Sequence, residues 1–141
     1  MARALLTPRA DRELFSLPLE IRPEHIDENG HVNNVIYVGW LQDAGMAHWN
    51  ARFSAEERAR WSWVALRHEI DYLRGLLPGA TATARTWVGD PQGPRFNRYV
   101  RIEDGEGRLC AQGVSEWCLV DAATLRPTRI PADMLPAFER R

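Results

Sequence analysis

Residues 32–50 constrain the fold more than any other stretch. Val35, Ile36, Val38, Trp40, Leu41, Ala44, Met46, Ala47 and Trp49 cover most of a helical circumference instead of one stripe, and no proline interrupts them. The spacing predicts a helix from Val32 to Asn50 that is largely buried. Gly39 and Gly45 each cost about 1 kcal/mol relative to Ala inside a helix, which fits close approach of a neighbouring sheet. The rest of the chain has to supply that sheet.

The helix opens on a dense polar run, His25-Ile26-Asp27-Glu28-Asn29-Gly30-His31-Val32-Asn33-Asn34. Asn33 or Asn34 can cap the first turn through a side-chain oxygen. Carboxylate, amide and imidazole groups therefore collect at a helix N-terminus, where unpaired amides and the positive end of the helix dipole favour an anion.

Strand patterns surround this element. Leu14 to Arg22 alternates in its second half, with Pro18 pointing to an edge strand and Pro23 ending it. Residues 1–13, with Arg3, Arg9 and Arg12, show little periodicity and read as a loose lead-in. Ser54-Ala55-Glu56-Glu57 is a capping box for a short helix reaching Arg60. Trp61 to Leu73 reads as a long strand with Val64, Leu66, His68, Ile70 and Tyr72 on one face and Arg67, Glu69 and Asp71 on the other. Ala80–Val88, Arg95–Glu103 and Leu109–Val120 follow as strands, separated by turns at Asp90-Pro91-Gln92-Gly93-Pro94 and Asp104-Gly105-Glu106-Gly107. Short turns imply a meander in which each of the four later strands pairs with the next. The expected architecture is α+β, with five antiparallel strands and one main helix as cover. At 141 residues the chain is expected to form a single domain, 1–141.

Composition excludes some functions. A net charge of −1 argues against broad nucleic-acid or membrane binding, and no Walker loop, Rossmann glycine pattern or His/Cys metal spacing is present. No nucleotide cofactor and no metal is expected. The first dozen residues lack the apolar core of a signal peptide and no run is long enough to span a bilayer, so the expected location is cytoplasmic. Cys110 and Cys118, about 26 Å apart along one strand, are expected to be reduced. The six Trp exceed what one helix can cover, which points to a subunit interface.

The series Asp27-x-Asn29-x-His31-Val32-Asn33-Asn34-Val35-x-Tyr37-x-Gly39-Trp40 resembles the signature of the hotdog-fold thioesterases of the 4-hydroxybenzoyl-CoA thioesterase superfamily. It is most similar to the acyl-acyl-carrier-protein (acyl-ACP) thioesterases and small bacterial acyl-CoA thioesterases. The resemblance extends more weakly through Ile70-Asp71-Tyr72-Leu73, Trp117-Cys118-Leu119-Val120-Asp121, Arg126-Pro127 and Ile130-Pro131. It implies a hotdog fold, a five-stranded antiparallel sheet wrapped around one long helix. It also implies a homodimer with sites between subunits, often paired again into a homotetramer.

The resemblance implies hydrolysis of an acyl-CoA or acyl-ACP thioester without a cofactor. Asp27 would be general base or nucleophile, and the Asn34 amide the oxyanion donor, a kind of contact worth about 2.7 to 4 kcal/mol. Asn29 would position the carboxylate or water, and His31 would act as acid/base or orienting group. Gly30 permits the sharp turn between them, with Asn33 as cap and Tyr37 beneath the site. Asp27 beside Gly30 could also simply close an Asx turn. Arg95 and Arg98, with Asn97 and Arg101, could meet the phosphates of CoA or phosphopantetheine. The alternatives are a non-catalytic acyl-thioester-binding hotdog protein and a hotdog dehydratase or isomerase, which would move the C2 proton instead of adding water at C1.

Overall fold

A computed structural model describes residues 4–140; Arg3 of the lead-in lies outside them. In chain order the elements are β1 (Phe15–Leu19), a 3-10 turn (Pro23–His25), α1 (Asn34–Arg52), α2 (Ala55–Arg58), β2 (Trp61–Tyr72), β3 (Ala82–Val88), β4 (Arg95–Asp104), β5 (Leu109–Asp121) and a 3-10 segment (Ala132–Phe138). The five strands form one antiparallel sheet in the order β1-β3-β4-β5-β2. Among the described residues no helix is long and apolar enough to cross a membrane.

The meander holds for β3, β4 and β5 but not for β2. Trp61 pairs with Asp121 and Tyr72 with Ala111, so β2 lies beside β5 at the edge opposite β1. The Pro78-Gly79 segment is therefore a crossover instead of a hairpin turn. It is tied down by the amides of Leu73 and Arg74, both donating to the Cys110 carbonyl, and by burial of Leu76.

Within β2 the alternation breaks at a bulge between Ala65 and Arg67. Trp61, Trp63 and Ala65 point inward before it, and His68 and Ile70 after it. Val64 and Leu66, expected on the inner face with His68, are 46% and 49% exposed. An extra residue on one strand shifts the side-chain parity beyond it.

α1 packs one stripe, not its whole circumference, against the sheet: Tyr37, Trp40, Leu41, Ala44, Gly45, His48 and Trp49 are buried. Its N-terminal half joins Tyr37, Leu41 and Ala44 to Ala84, Val100, Ile102 and Ala111. Its C-terminal half joins Trp49 and Phe53 to Phe96, Leu119 and Phe138. Val35 is 74% exposed and Met46 51%. Gly39 faces open space, whereas a Cβ at Gly45 would stand 3.1 Å from Cδ of Arg98. Only Gly45 is required by close approach.

The lead-in is not loose. The Leu6 amide donates to Oε1 of Gln112 at 2.8 Å, Nε2 of Gln112 donates to the Ala4 carbonyl at 2.8 Å, and Arg101 donates to the Leu6 carbonyl at 3.0 Å. Arg9 and Arg12 pair with Asp90. Residues 4–12 thus strap the sheet face opposite α1, through hydrogen bonds that leave no periodic hydrophobic trace in the sequence.

Candidate active site

The polar run folds back on itself. Ile26 and Val32 face each other across an antiparallel bridge, the Asp27 amide donates to the His31 carbonyl at 2.9 Å, and the Asn33 amide donates to the His25 carbonyl at 2.8 Å. The tip is a tight turn in which the Gly30 amide donates to the Asp27 carbonyl at 3.0 Å. Gly30 has a φ of +77°, a conformation that favours glycine. Oδ1 of Asp27 accepts from the Asn29 amide at 2.9 Å, an Asx turn. The backbone of Asn29, not its side chain, therefore orients the half-buried carboxylate.

The same pairing leads into the helix. Oδ1 of Asn33 accepts from the Val35 amide at 2.9 Å, so Asn33 is the N-cap and Asn34 the first helical residue. The Asn34 N–H belongs to the first turn, whose amides have no intrahelical partner. Its carbonyl accepts from the Tyr72 hydroxyl at 2.9 Å. The Val32 amide donates to the Leu76 carbonyl at 2.9 Å, anchoring the loop to the β2–β3 crossover.

Aromatic groups support the floor. The Tyr37 ring stands 5.2 Å from those of Trp40 and Tyr72, edge-on to both. Burial pushes the Tyr37 hydroxyl up to about 12, so it stays protonated at neutral pH. His25 sits edge-on to Trp40 at 6.0 Å, and its Nδ1 accepts from the Arg22 amide at 3.0 Å. His31 is exposed and lies over Gly75, where a Cβ would come within 3.1 Å of the ring.

Asp27, Asn29, Gly30, His31, Asn33 and Asn34 are thus brought together, with Tyr37 beneath them. Arg95 and Arg98 are not. Arg95 pairs with Cys118 and the site's Tyr72 with Ala111, seven residues or about 23 Å apart along β5. Arg95 lines a groove of about 440 Å³ on the outer face with Arg9, Asp90 and Asn97. Arg98 is 3% exposed and points inward from β4, an interior strand and not an edge, so a surface phosphate is out of its reach.

Arg98 instead joins a polar chain inside the core. Its Nη1 donates to Nδ1 of His48 and to Oγ1 of Thr86, both at 3.0 Å. Nε2 of His48 lies 2.7 Å from Oε1 of Glu13, and Arg52 donates to both oxygens of Glu13. The Arg52 guanidinium holds the Glu13 carboxyl down to about 2, and desolvation followed by the Arg98 charge lowers His48 to about 4. The single signal in the sequence was a histidine on the apolar helix.

Comparisons with known proteins match the fold. A family model described as the thioesterase-like superfamily matches residues 21–138. The chain belongs to the thioesterase-like superfamily. Its sheet order and long helix are those of the hotdog fold, and its members' chemistry makes it a hydrolase acting on thioesters. Among solved structures, the protein SAV2348 from Staphylococcus aureus, in complex with CoA, has a TM-score of 0.78 at 19% identity, over 93% of this chain and 85% of that one. A predicted thioesterase from Bacillus stearothermophilus has a TM-score of 0.77 at 24% identity, over 89% and 94%. A thioesterase from Thermus thermophilus, complexed with coenzyme A and Zn, has a TM-score of 0.78 at 18% identity, over 92% and 94%. A search of curated proteins finds no match.

Proposed function

We propose that this protein hydrolyses acyl thioesters of coenzyme A or acyl carrier protein at the Asp27–Asn34 loop. The observation that supports the reading is the hairpin pairing, Asp27 to His31 and Asn33 to His25, which folds the loop carrying Asp27 back to the start of α1. Asp27 takes a proton from water as the water oxygen bonds to the thioester carbon. The carbonyl oxygen becomes an oxyanion that accepts from the Asn34 N–H, with the helix dipole behind it. Collapse of the adduct breaks the C–S bond, and Asp27 returns its proton to the leaving thiolate. The products are a carboxylic acid and a thiol, and no cofactor enters. In the alternative order, Asp27 attacks directly and water hydrolyses the resulting anhydride. His31 and Asn29 orient the water and the carboxylate, Gly30 and Asn33 shape the loop, and Tyr37 backs the thioester. A coenzyme A substrate is supported by the CoA complexes of the similar structures.

We further infer a homodimer acting in the cytoplasm. β2 leaves one sheet edge unpaired, and Val64, Leu66, Tyr72 and Leu73 are between 41% and 49% exposed along it, a combination that favours pairing with a second copy. Light scattering after size exclusion tests the dimer. Thiol release by the purified protein over short, medium, long and aromatic acyl-CoAs and acyl-ACPs tests the reaction. Cleavage that peaks on one class supports hydrolysis, and absence of cleavage on every member refutes it.

A further inference from the structure

The sheet ends at β1, and between this edge strand and the flank of α1 runs an open groove of about 410 Å³. Leu17, Leu19, Ile36 and Trp40 give it an apolar floor. One end adjoins the Asp27–Asn34 loop. It is lined by His25, whose carbonyl accepts from the Asn33 amide, and by Val35, whose amide is capped by Asn33. The other end is marked by Asp43, eight residues or about 12 Å further along the helix. β2, the edge inferred above to pair with a second copy, lies at the far side of the sheet, so the groove stays open in such a dimer.

Gly39 lines the middle of this groove, about 6 Å past Val35. Only proline is a poorer helix former than glycine. The close approach of Arg98 accounts for Gly45, but a Cβ at Gly39 would meet no heavy atom within 4 Å, and the residue lies inside α1. Neither contact nor backbone conformation requires glycine there. What the missing side chain does is keep the groove clear.

The rim decides what kind of chain enters. Arg22, its one guanidinium, is taken by Glu20 at 3.4 Å and Glu24 at 4.0 Å. Asp43 is exposed and forms no ion pair among the described residues. A phosphate or carboxylate therefore finds no free cation and meets a like charge. An added peptide strand is disfavoured as well, because Pro18 in the middle of β1 has no N–H to give it. An uncharged apolar chain fits both floor and rim.

We propose that this groove holds the acyl chain of the substrate, that Gly39 sets how long a chain enters, and that the preferred acyl group is an uncharged aliphatic chain of medium length. The thioester carbonyl lies at the first turn of α1, and the chain runs along the helix flank past Gly39 toward Asp43. Each methylene that leaves water adds to binding, so efficiency climbs with chain length until the chain reaches Asp43. The identity of the occupant rests on the thioesterase reading. The groove and the open position at Gly39 do not.

The test is kcat/KM on acetyl-, butyryl-, octanoyl- and decanoyl-CoA for the wild type, Gly39→Ala and Gly39→Leu. Leucine closes the groove about 6 Å from its start, so Gly39→Leu is expected to lower the ratio of decanoyl- to acetyl-CoA efficiency at least about tenfold. Gly39→Ala lowers it less, and both variants melt at or above the wild-type temperature, since each residue is a better helix former than glycine. If Gly39→Leu does not fold, Gly39→Ala decides. A lower Tm in Gly39→Ala, or an unchanged ratio in the folded variants, overturns the assignment. A decanoyl chain ending in a second carboxylate is expected to be cleaved less efficiently than decanoyl itself, with the gap narrowed by Asp43→Asn, and a preference for the carboxylated chain overturns the rim. Two CoA thioethers that cannot be hydrolysed, S-ethyl and S-decyl, separate this proposal from the reaction. Calorimetry is expected to show the decyl thioether binding the wild type at least about tenfold more tightly than the ethyl, and the gain lost in Gly39→Leu. That result without cleavage of any thioester removes the thioesterase reading and leaves the groove. Cleavage of the panel with no decyl gain removes the groove and leaves the thioesterase reading.

Discussion

Nη1 of Arg98 donates to Nδ1 of His48 at 3.0 Å inside the core, and this fixes the imidazole tautomer. Arginine always donates, so Nδ1 accepts and the proton sits on Nε2, directed at Glu13 Oε1 2.7 Å away. The helix, the lead-in and β4 are joined through one neutral histidine.

That arrangement predicts acid sensitivity. His48 titrates at about 4 when folded, against an ordinary 6.5. As pH falls below 6.5 the unfolded chain takes up a proton that the folded chain refuses, so stability is lost between pH 6.5 and about 4, on the order of 3 kcal/mol at most. Glu13, held at about 2 against 4.5, extends the loss below pH 4.5 with the same sign. Thermal melts from pH 7.5 to 4 should show a steep fall in Tm, and His48→Gln should flatten it.

Asn33→Ala removes the cap on α1 and should cost about 1 kcal/mol, whereas Asn33→Asp should retain most stability because its carboxylate can still accept from the Val35 amide. Urea unfolding of the two variants measures the difference.

Gly113→Ala would place a Cβ 2.5 Å from Cδ2 of Leu41 and 3.3 Å from the Glu69 carbonyl. Overpacking of this kind costs about 1 to 3 kcal/mol. The lowered urea midpoint should be partly restored by Leu41→Val, which shortens the opposing side chain.

Tyr72→Phe deletes the donor to the Asn34 carbonyl. Stability should fall by about 0.5 to 1.5 kcal/mol, and thioester cleavage should fall several-fold with KM little changed, since the start of α1 loses its tether. Steady-state kinetics on one good acyl-CoA measures this.

The elements and the loop were legible because their signals are local. Asn33 as cap, Ser54 as capping box, Gly30 as turn and Pro18 on the edge strand each act within a few residues. What escaped is non-local. Whether β2 sits beside β3 or β5 depends on the crossover through Leu76, and the reversed face of Val64 and Leu66 depends on a bulge opposite β5. The inward turn of Arg98 could not be read from a strand carrying Arg95, Arg98 and Arg101 in a row of polar residues. Its acceptors, His48 and Thr86, lie 50 and 12 residues away.

The most direct measurement of the central claim is thiol release from the best acyl-CoA by Asp27→Asn beside the wild type. Asparagine keeps an oxygen to accept from the Asn29 amide, so the Asx turn and the loop survive while the base is lost. The variant is expected to keep its Tm and its substrate binding and to lose at least about a hundredfold in kcat. Turnover at the wild-type rate would take Asp27 out of the chemistry.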